Sequence, residues 1–153
     1  MSKSSLRGAV AASTFVLALL AVAGVAVAAH PVKGATYKGK LSAPGPIVEP
    51  ISFKTTANGK RVHDFAISVV PVGCQGGLFG SPQPGSAAVT KQGKFKVTLK
   101  LYFAPAHRTT GKLVVTGTFL AHGKETGKVS TVFTNPLYPK SCDKTVTYST
   151  KRG

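Results

Sequence analysis

Apolar and polar residues alternate one for one along much of the chain after residue 29. From Lys94 to Phe103, the residues Phe95, Val97, Leu99, Leu101 and Phe103 fall on one side. Lys94, Lys96, Thr98, Lys100 and Tyr102 fall on the other. A period of two is that of a strand with one buried and one solvated face. Leu113, Val115, Gly117 and Phe119 repeat it, as do Phe65, Ile67 and Val69. No long stretch beyond residue 29 has a helical period. The pattern predicts eight strands, at about 35–41, 47–54, 60–70, 86–91, 94–103, 112–121, 127–134 and 144–150. Many short strands between turn signals predict an all-β domain. The expected form is an eight-stranded antiparallel β-sandwich, jelly-roll-like, with a small β-barrel as the alternative.

Four turns share one spelling, two residues followed by Gly-Lys: Ala57-Asn58-Gly59-Lys60, Lys91-Gln92-Gly93-Lys94, Thr109-Thr110-Gly111-Lys112 and Ala121-His122-Gly123-Lys124. A three-residue hairpin loop with a left-handed Gly suits that spelling. Such loops set Ile51 opposite Phe65, Phe53 opposite His63, Val89 opposite Phe95, Leu101 opposite Phe119 and Val115 opposite Val129. Each register keeps apolar residues on a common face. Pro105 interrupts the strand before the third turn. The strands from 86 to 134 would then form a meander.

The first 29 residues follow another rule. Lys3 and Arg7 precede an apolar run from about Ala9 to Ala29 that closes on Ala26-Val27-Ala28-Ala29. Basic, then apolar, then small residues is the pattern of a secretory signal helix, cut after Ala28 or Ala29. An uncleaved membrane anchor is the competing reading. The expected organisation is a signal peptide over 1–29 and a single domain over 30–153. The mature protein is expected to be secreted or held in the cell envelope, as a monomer with no integral membrane contact.

Charge changes the picture of its partners. Of 20 Lys and Arg, all but Lys3 and Arg7 lie in the mature part, against four acids, Glu49, Asp64, Glu125 and Asp143. A surplus of that size attracts polyanions. The row Lys94, Lys96 and Lys100, with Tyr102 on the same face to stack, could track an anionic polymer. They are also what an ordinary solvated strand face carries. Alternate turns of a meander lie at opposite ends, so the charge should be spread, which argues against a specific nucleic-acid groove.

The only cysteines, Cys74 and Cys142, predict a disulfide in an oxidising compartment. The bridge would tie together two long loops, 71–86 and 134–142. That places Phe79, Leu137 and Tyr138 as a candidate ligand platform, or as a plug for one end of the fold.

Catalytic chemistry is poorly supplied. Four acids give no obvious pair for glycoside hydrolysis, no G-x-S-x-G elbow is present, and the Gly-rich loop lacks a Gly-Lys-Ser/Thr ending. The histidines His30, His63, His107 and His122 show no metal-ligand spacing. His30 is the one sharper case. Cleavage after Ala29 would leave it as the N-terminal residue, similar to the histidine brace of lytic polysaccharide monooxygenases and some periplasmic copper-binding β-sandwich proteins. That likeness covers one residue, and the chain has no Trp for the usual aromatic substrate surface. No cofactor is expected otherwise, and the domain is not expected to be an enzyme.

Several framework features recur together: Tyr37-Lys38-Gly39, Ile51-Ser52-Phe53 before Asn58-Gly59, Asp64-Phe65, Cys74, Gly93-Lys94-Phe95, and Cys142 through Tyr148. In these the chain resembles small exported bacterial all-β proteins of unassigned function. The resemblance implies a sandwich and an extracytoplasmic home, and carries no catalytic residue. Three readings of function follow. The first is a non-enzymatic binding or structural domain that associates with anionic envelope or extracellular polymers. The second is a copper protein or oxidase using His30. The third is a carbohydrate- or protein-binding module using the disulfide-tied loops.

Overall fold

The computed structural model describes residues 29–42, 50–74, 81–103, 108–136 and 138–153. The expected signal segment, residues 1–29, lies outside the described residues apart from Ala29. Among the described residues there is no α-helix. The strands are β1 (Thr36–Leu41), β2 (Pro50–Thr55), β3 (Arg61–Ile67), β4 (Ser81–Pro82), β5 (Ala87–Ala88), β6 (Lys94–Phe103), β7 (Arg108–Leu120), β8 (Lys124–Phe133) and β9 (Lys144–Arg152). Each of the eight expected strands has its counterpart, and β4 is an additional short one.

All are antiparallel members of one sheet, in the order β4-β6-β7-β8-β9-β1-β2-β3-β5. The alternation that predicted β6 is the one that buries it: Phe95, Val97, Leu99 and Leu101 are buried, while Lys94, Lys96, Thr98 and Lys100 are exposed. The last strand does not end the sheet. It runs beside the first, with Lys38 opposite Lys151 and Leu41 opposite Tyr148.

Residues 81–93 stitch the two margins of the sheet together. β4 pairs with β6, and the Gln83 N–H donates to the Lys100 carbonyl. The chain then crosses to β3, where Ala87 faces Val62, and the Val89 N–H donates to the Lys60 carbonyl. The sheet is therefore nearly closed and barrel-like. The expected meander holds for β6, β7 and β8 and continues into β9. It does not begin at β5, because β5 ladders with β3 on the far margin.

Two of the four turns close as the spelling predicts. At Gly93 (φ 68°) the Thr90 N–H donates to the Lys94 carbonyl, bracketing a three-residue loop. At 121–123, Leu120 faces Lys124 and Val115 faces Val129. Both His122 (φ 61°) and Gly123 (φ 66°) are left-handed there.

The other two differ. At the first turn Thr56 N–H donates to the Arg61 carbonyl, so the loop holds four residues. Thr55 then faces Val62, and beyond a bulge Ile51 faces Ile67 rather than Phe65. Phe53 is not opposite His63, because Lys54 holds that place. The bulge is at Asp64, whose φ of 54° accommodates one extra residue in β3. A bulge resets side-chain parity, which is why the parity argument chose the wrong register.

The third spelling is no turn at all: Thr109 to Lys112 lie inside β7. Leu101 faces Gly111, not Phe119. A Cβ at Gly111 would press on the Val132 carbonyl, so glycine is there for close strand approach.

Inside, Tyr37, Phe53, Phe65, Phe95 and Phe119 form one aromatic cluster. Tyr37 stacks on Phe53 with centroids 5.3 Å apart, and Phe119 meets Tyr37 edge-on at 5.1 Å. Offset-stacked and edge-on pairs each contribute about 1 kcal/mol beyond burial. This cluster fills the end of the fold that carries the turns at 56–59, 90–93 and 121–123. The opposite end carries the disulfide between Cys74 and Cys142. There the Gly73 N–H donates to the Cys142 carbonyl, and Tyr138 stacks on Phe133 at 4.6 Å.

Candidate functional site

The sheet register decides which basic side chains share a surface. On β6, Lys94, Lys96 and Lys100 point outward and face Thr118, Thr116 and Lys112 across the strand gap. The expected row is therefore real as a row, but only Lys100 has a second cation opposite it.

A tighter row arises elsewhere. Lys38 on β1 is directly opposite Lys151 on β9, and Lys151 is directly opposite Lys124 on β8. Three lysines thus issue side by side from three adjacent strands, whose backbones are about 4.8 Å apart. The neighbouring outer row is Lys40, Ser149 and Thr126. Lys38, Lys40, Lys124 and Lys151 surround a hollow of about 350 Å³ in which Ser149 and Thr126 also take part. A shallower hollow of about 850 Å³ shares Ser149 and Thr126 and extends past Lys128 to Lys94.

The described acids do not neutralise this row. Asp64 pairs with Lys54 at 3.4 Å and with His63 at 3.1 Å. Those two partners, His63 first, hold its carboxyl below the ordinary carboxylate range. Asp143 accepts the Phe133 N–H at 2.9 Å. Glu125 neighbours Lys124 in sequence, but alternation turns it to the other face of the sheet, where it is fully buried.

That buried carboxylate is the most unusual group in the core. The Tyr148 hydroxyl donates to Oε1 at 2.6 Å and the Thr150 hydroxyl to Oε2 at 2.7 Å. Tyr148 also lies 3.3 Å from the Thr116 carbonyl. The space comes from a glycine, since a Cβ at Gly117 would strike Glu125 Oε1 and the Phe95 ring. Burial pushes the Glu125 carboxyl up to about 7, against the lowering effect of its two hydroxyl donors. Burial, and then the Glu125 charge, push the Tyr148 phenol up.

The remaining candidates are placed as follows. Tyr138 is half-buried against the core, stacked on Phe133. Phe79 and Leu137 lie outside the described residues, as does His107. His30 is exposed at a hollow that it shares with Lys33, Lys60 and Lys91. Three ammonium groups disfavour a cation there. Among the described residues no group of three or more His, Cys, Asp or Glu could hold a metal.

Sequence reasoning missed both the Lys38–Lys151–Lys124 row and Glu125. The row depends on β9 lying beside β1, a pairing between residues more than a hundred positions apart. No local spelling in the two strands marks that pairing. Compared with known proteins, the chain matches no family model, no curated protein and no solved structure.

Proposed function

We propose that the domain is an exported, non-enzymatic binding module for anionic cell-envelope or extracellular polymers, working through the outer face of β1, β9 and β8. The observation that carries this reading is the Lys38–Lys151–Lys124 row. Like charges directly opposite one another destabilise a sheet, so three in line are a cost to folding alone. A bound polyanion turns that cost into attraction. The hydroxyls of Ser149 and Thr126 add donors at the same surface.

The compartment reading rests on the basic-apolar-small order of the first 29 residues, and the disulfide is compatible with it. The fold best suited to the strand order is a small up-and-down barrel whose seam is laced by residues 81–93. A sandwich would be the flattened form of the same ladder.

The test is a salt titration. Affinity for a soluble polyanion should fall steeply with ionic strength, as counterions are released on binding. Affinity that stays constant as salt rises would remove this reading. The intact mass of protein collected after export should begin at Ala29 or His30 and should be 2 Da below the reduced value.

A further inference from the structure

The two hollows on the outer face share Ser149 and Thr126, and the exposed charged side chains along both are lysines. We infer that they form a track for a linear phosphate polymer, with phosphate groups seated among Lys38, Lys124 and Lys151 and the chain running across the strands toward Lys94. The inference rests on the polyanion reading above and narrows it to one ligand chemistry.

The first argument is the donor set. The hollow at the row offers four ammonium groups and the hydroxyls of Ser149 and Thr126. None of its exposed side chains is a carboxylate. Such a lining suits a ligand made of acceptors.

The second argument is the convergence of separate point charges on that lining. A guanidinium fork matches carboxylate and phosphate alike, but a planar carboxylate has only two oxygens to share among separate cations. Lysine binds as a point charge and matches a tetrahedral phosphate, whose several oxygens can be shared among cations from different directions. Here the cations come from three strands. Arg152 follows Lys151, but alternation places it on the other side of β9 and it does not line the hollow.

The third argument is the shape. The second hollow shares Ser149 and Thr126 with the first and passes Thr147, Lys128, Thr116 and Thr118 before reaching Lys94. From β1 to β6 the path crosses four strand gaps, about 19 Å. One phosphate would fill a small part of it, whereas a chain of several would occupy it whole. Length dependence is therefore built into the geometry, because successive groups on one chain bind at high effective concentration.

Binding to the full exported domain should be measured by titration calorimetry with inorganic polyphosphate, orthophosphate, poly-glutamate of equal charge and phosphatidylglycerol vesicles, all at one salt concentration. Polyphosphate should bind roughly tenfold or more tightly than poly-glutamate, with orthophosphate weaker than either. The triple variant K38Q/K124Q/K151Q should weaken polyphosphate binding at least tenfold and lower the salt slope by about 2, at ~0.7 per cation removed. The variant K100Q/K112Q removes an opposed lysine pair off the track and should change affinity less than about threefold. An unchanged melting profile for each variant shows that lost binding is not lost folding. Equal affinity for poly-glutamate overturns the phosphate inference and leaves the polyanion reading standing. Vesicle binding without polyphosphate binding also overturns the inference, and assigns the face to a lipid surface. No binding to any probe overturns both readings.

Discussion

The two ends of the molecule solve different problems. The end with the disulfide is held by a covalent tie, by the Phe133–Tyr138 stack and by Asp143, which accepts the Phe133 N–H. The end with the hairpin turns has no covalent tie. It relies on short turns and on the aromatic cluster around Phe53 and Phe119, and it gathers Lys33, Lys60, Lys91, Lys94, Lys124 and Lys151. One end carries the covalent constraint, and the other carries the lysine row. The difference teaches that the covalent tie and the lysine row are separable here, because they sit at opposite ends of one sheet.

The largest test of that separation is removal of the disulfide. Cys74→Ala with Cys142→Ala frees a loop with a sequence separation of 68. In the chain-entropy model this costs about 4 kcal/mol. Denaturant unfolding should show the loss, while polyanion affinity measured below the new midpoint stays unchanged. A parallel loss of affinity would mean that the tied end takes part in recognition.

Glu125 sharpens the comparison from the charged end. Its carboxyl titrates near 7 in the folded protein, against an ordinary value of 4.5. Between these values the folded state holds a proton that the unfolded state has released. The contribution of Glu125 to stability is therefore full below about pH 4.5, falls as pH rises toward 7, and levels off above it. The drop is on the order of 3 kcal/mol. Glu125→Gln should flatten this slope in unfolding curves taken between pH 4.5 and 8. A slope that survives the substitution would assign the effect to another group.

Gly117→Ala is a smaller perturbation in the same place. The added methyl would meet Glu125 Oε1 and the Phe95 ring, and such overpacking costs about 1–3 kcal/mol. Combined with Glu125→Ala the two changes should cost less than their sum, since the second removes the atom that the first strikes. Additive losses would show that the Phe95 ring, not the carboxylate, is the obstacle.

The smallest effect has the opposite sign. Lys151→Gln removes two directly opposed like-charge contacts, with Lys38 and with Lys124. It should raise stability by about 0.2–1 kcal/mol at low salt, and by less as screening grows. A stability gain coupled to weaker polyanion binding is the outcome that links charge at this end to function. A stability loss would mean that the row is satisfied within the fold itself.

Local pattern made much of this architecture legible. The period-two run from Lys94 to Phe103 is β6, and Gly93 and His122-Gly123 stand in the turns that their spelling announced. The pairing of Cys74 with Cys142 followed from their being the only two cysteines in a chain whose first 29 residues have the pattern of an export signal. What was not legible depends on events that a local pattern does not encode. The bulge at Asp64 shifts the first hairpin by one residue without any glycine to mark it. Thr109–Lys112 has the letters of a turn but sits in β7, because the reversal falls between Phe103 and Arg108. The Lys38–Lys151–Lys124 row exists only once the sheet curls round and the last strand meets the first. Glu125 reads as a turn-proximal surface acid until Gly117 and Tyr148 are seen to build a place for it.

The β1–β9 ladder also sets an order of events for a chain made N-terminus first. While the polypeptide emerges N-terminus first, β1 has its β2 partner early but lacks its other neighbour until residues 144–152 are through. Cys74 likewise waits for Cys142. The nascent domain therefore keeps an open edge until β9 emerges, and only then can the sheet seal and the Lys38–Lys151–Lys124 row assemble. Premature closure is thus discouraged by topology itself, because the strand that seals the sheet comes after the other eight.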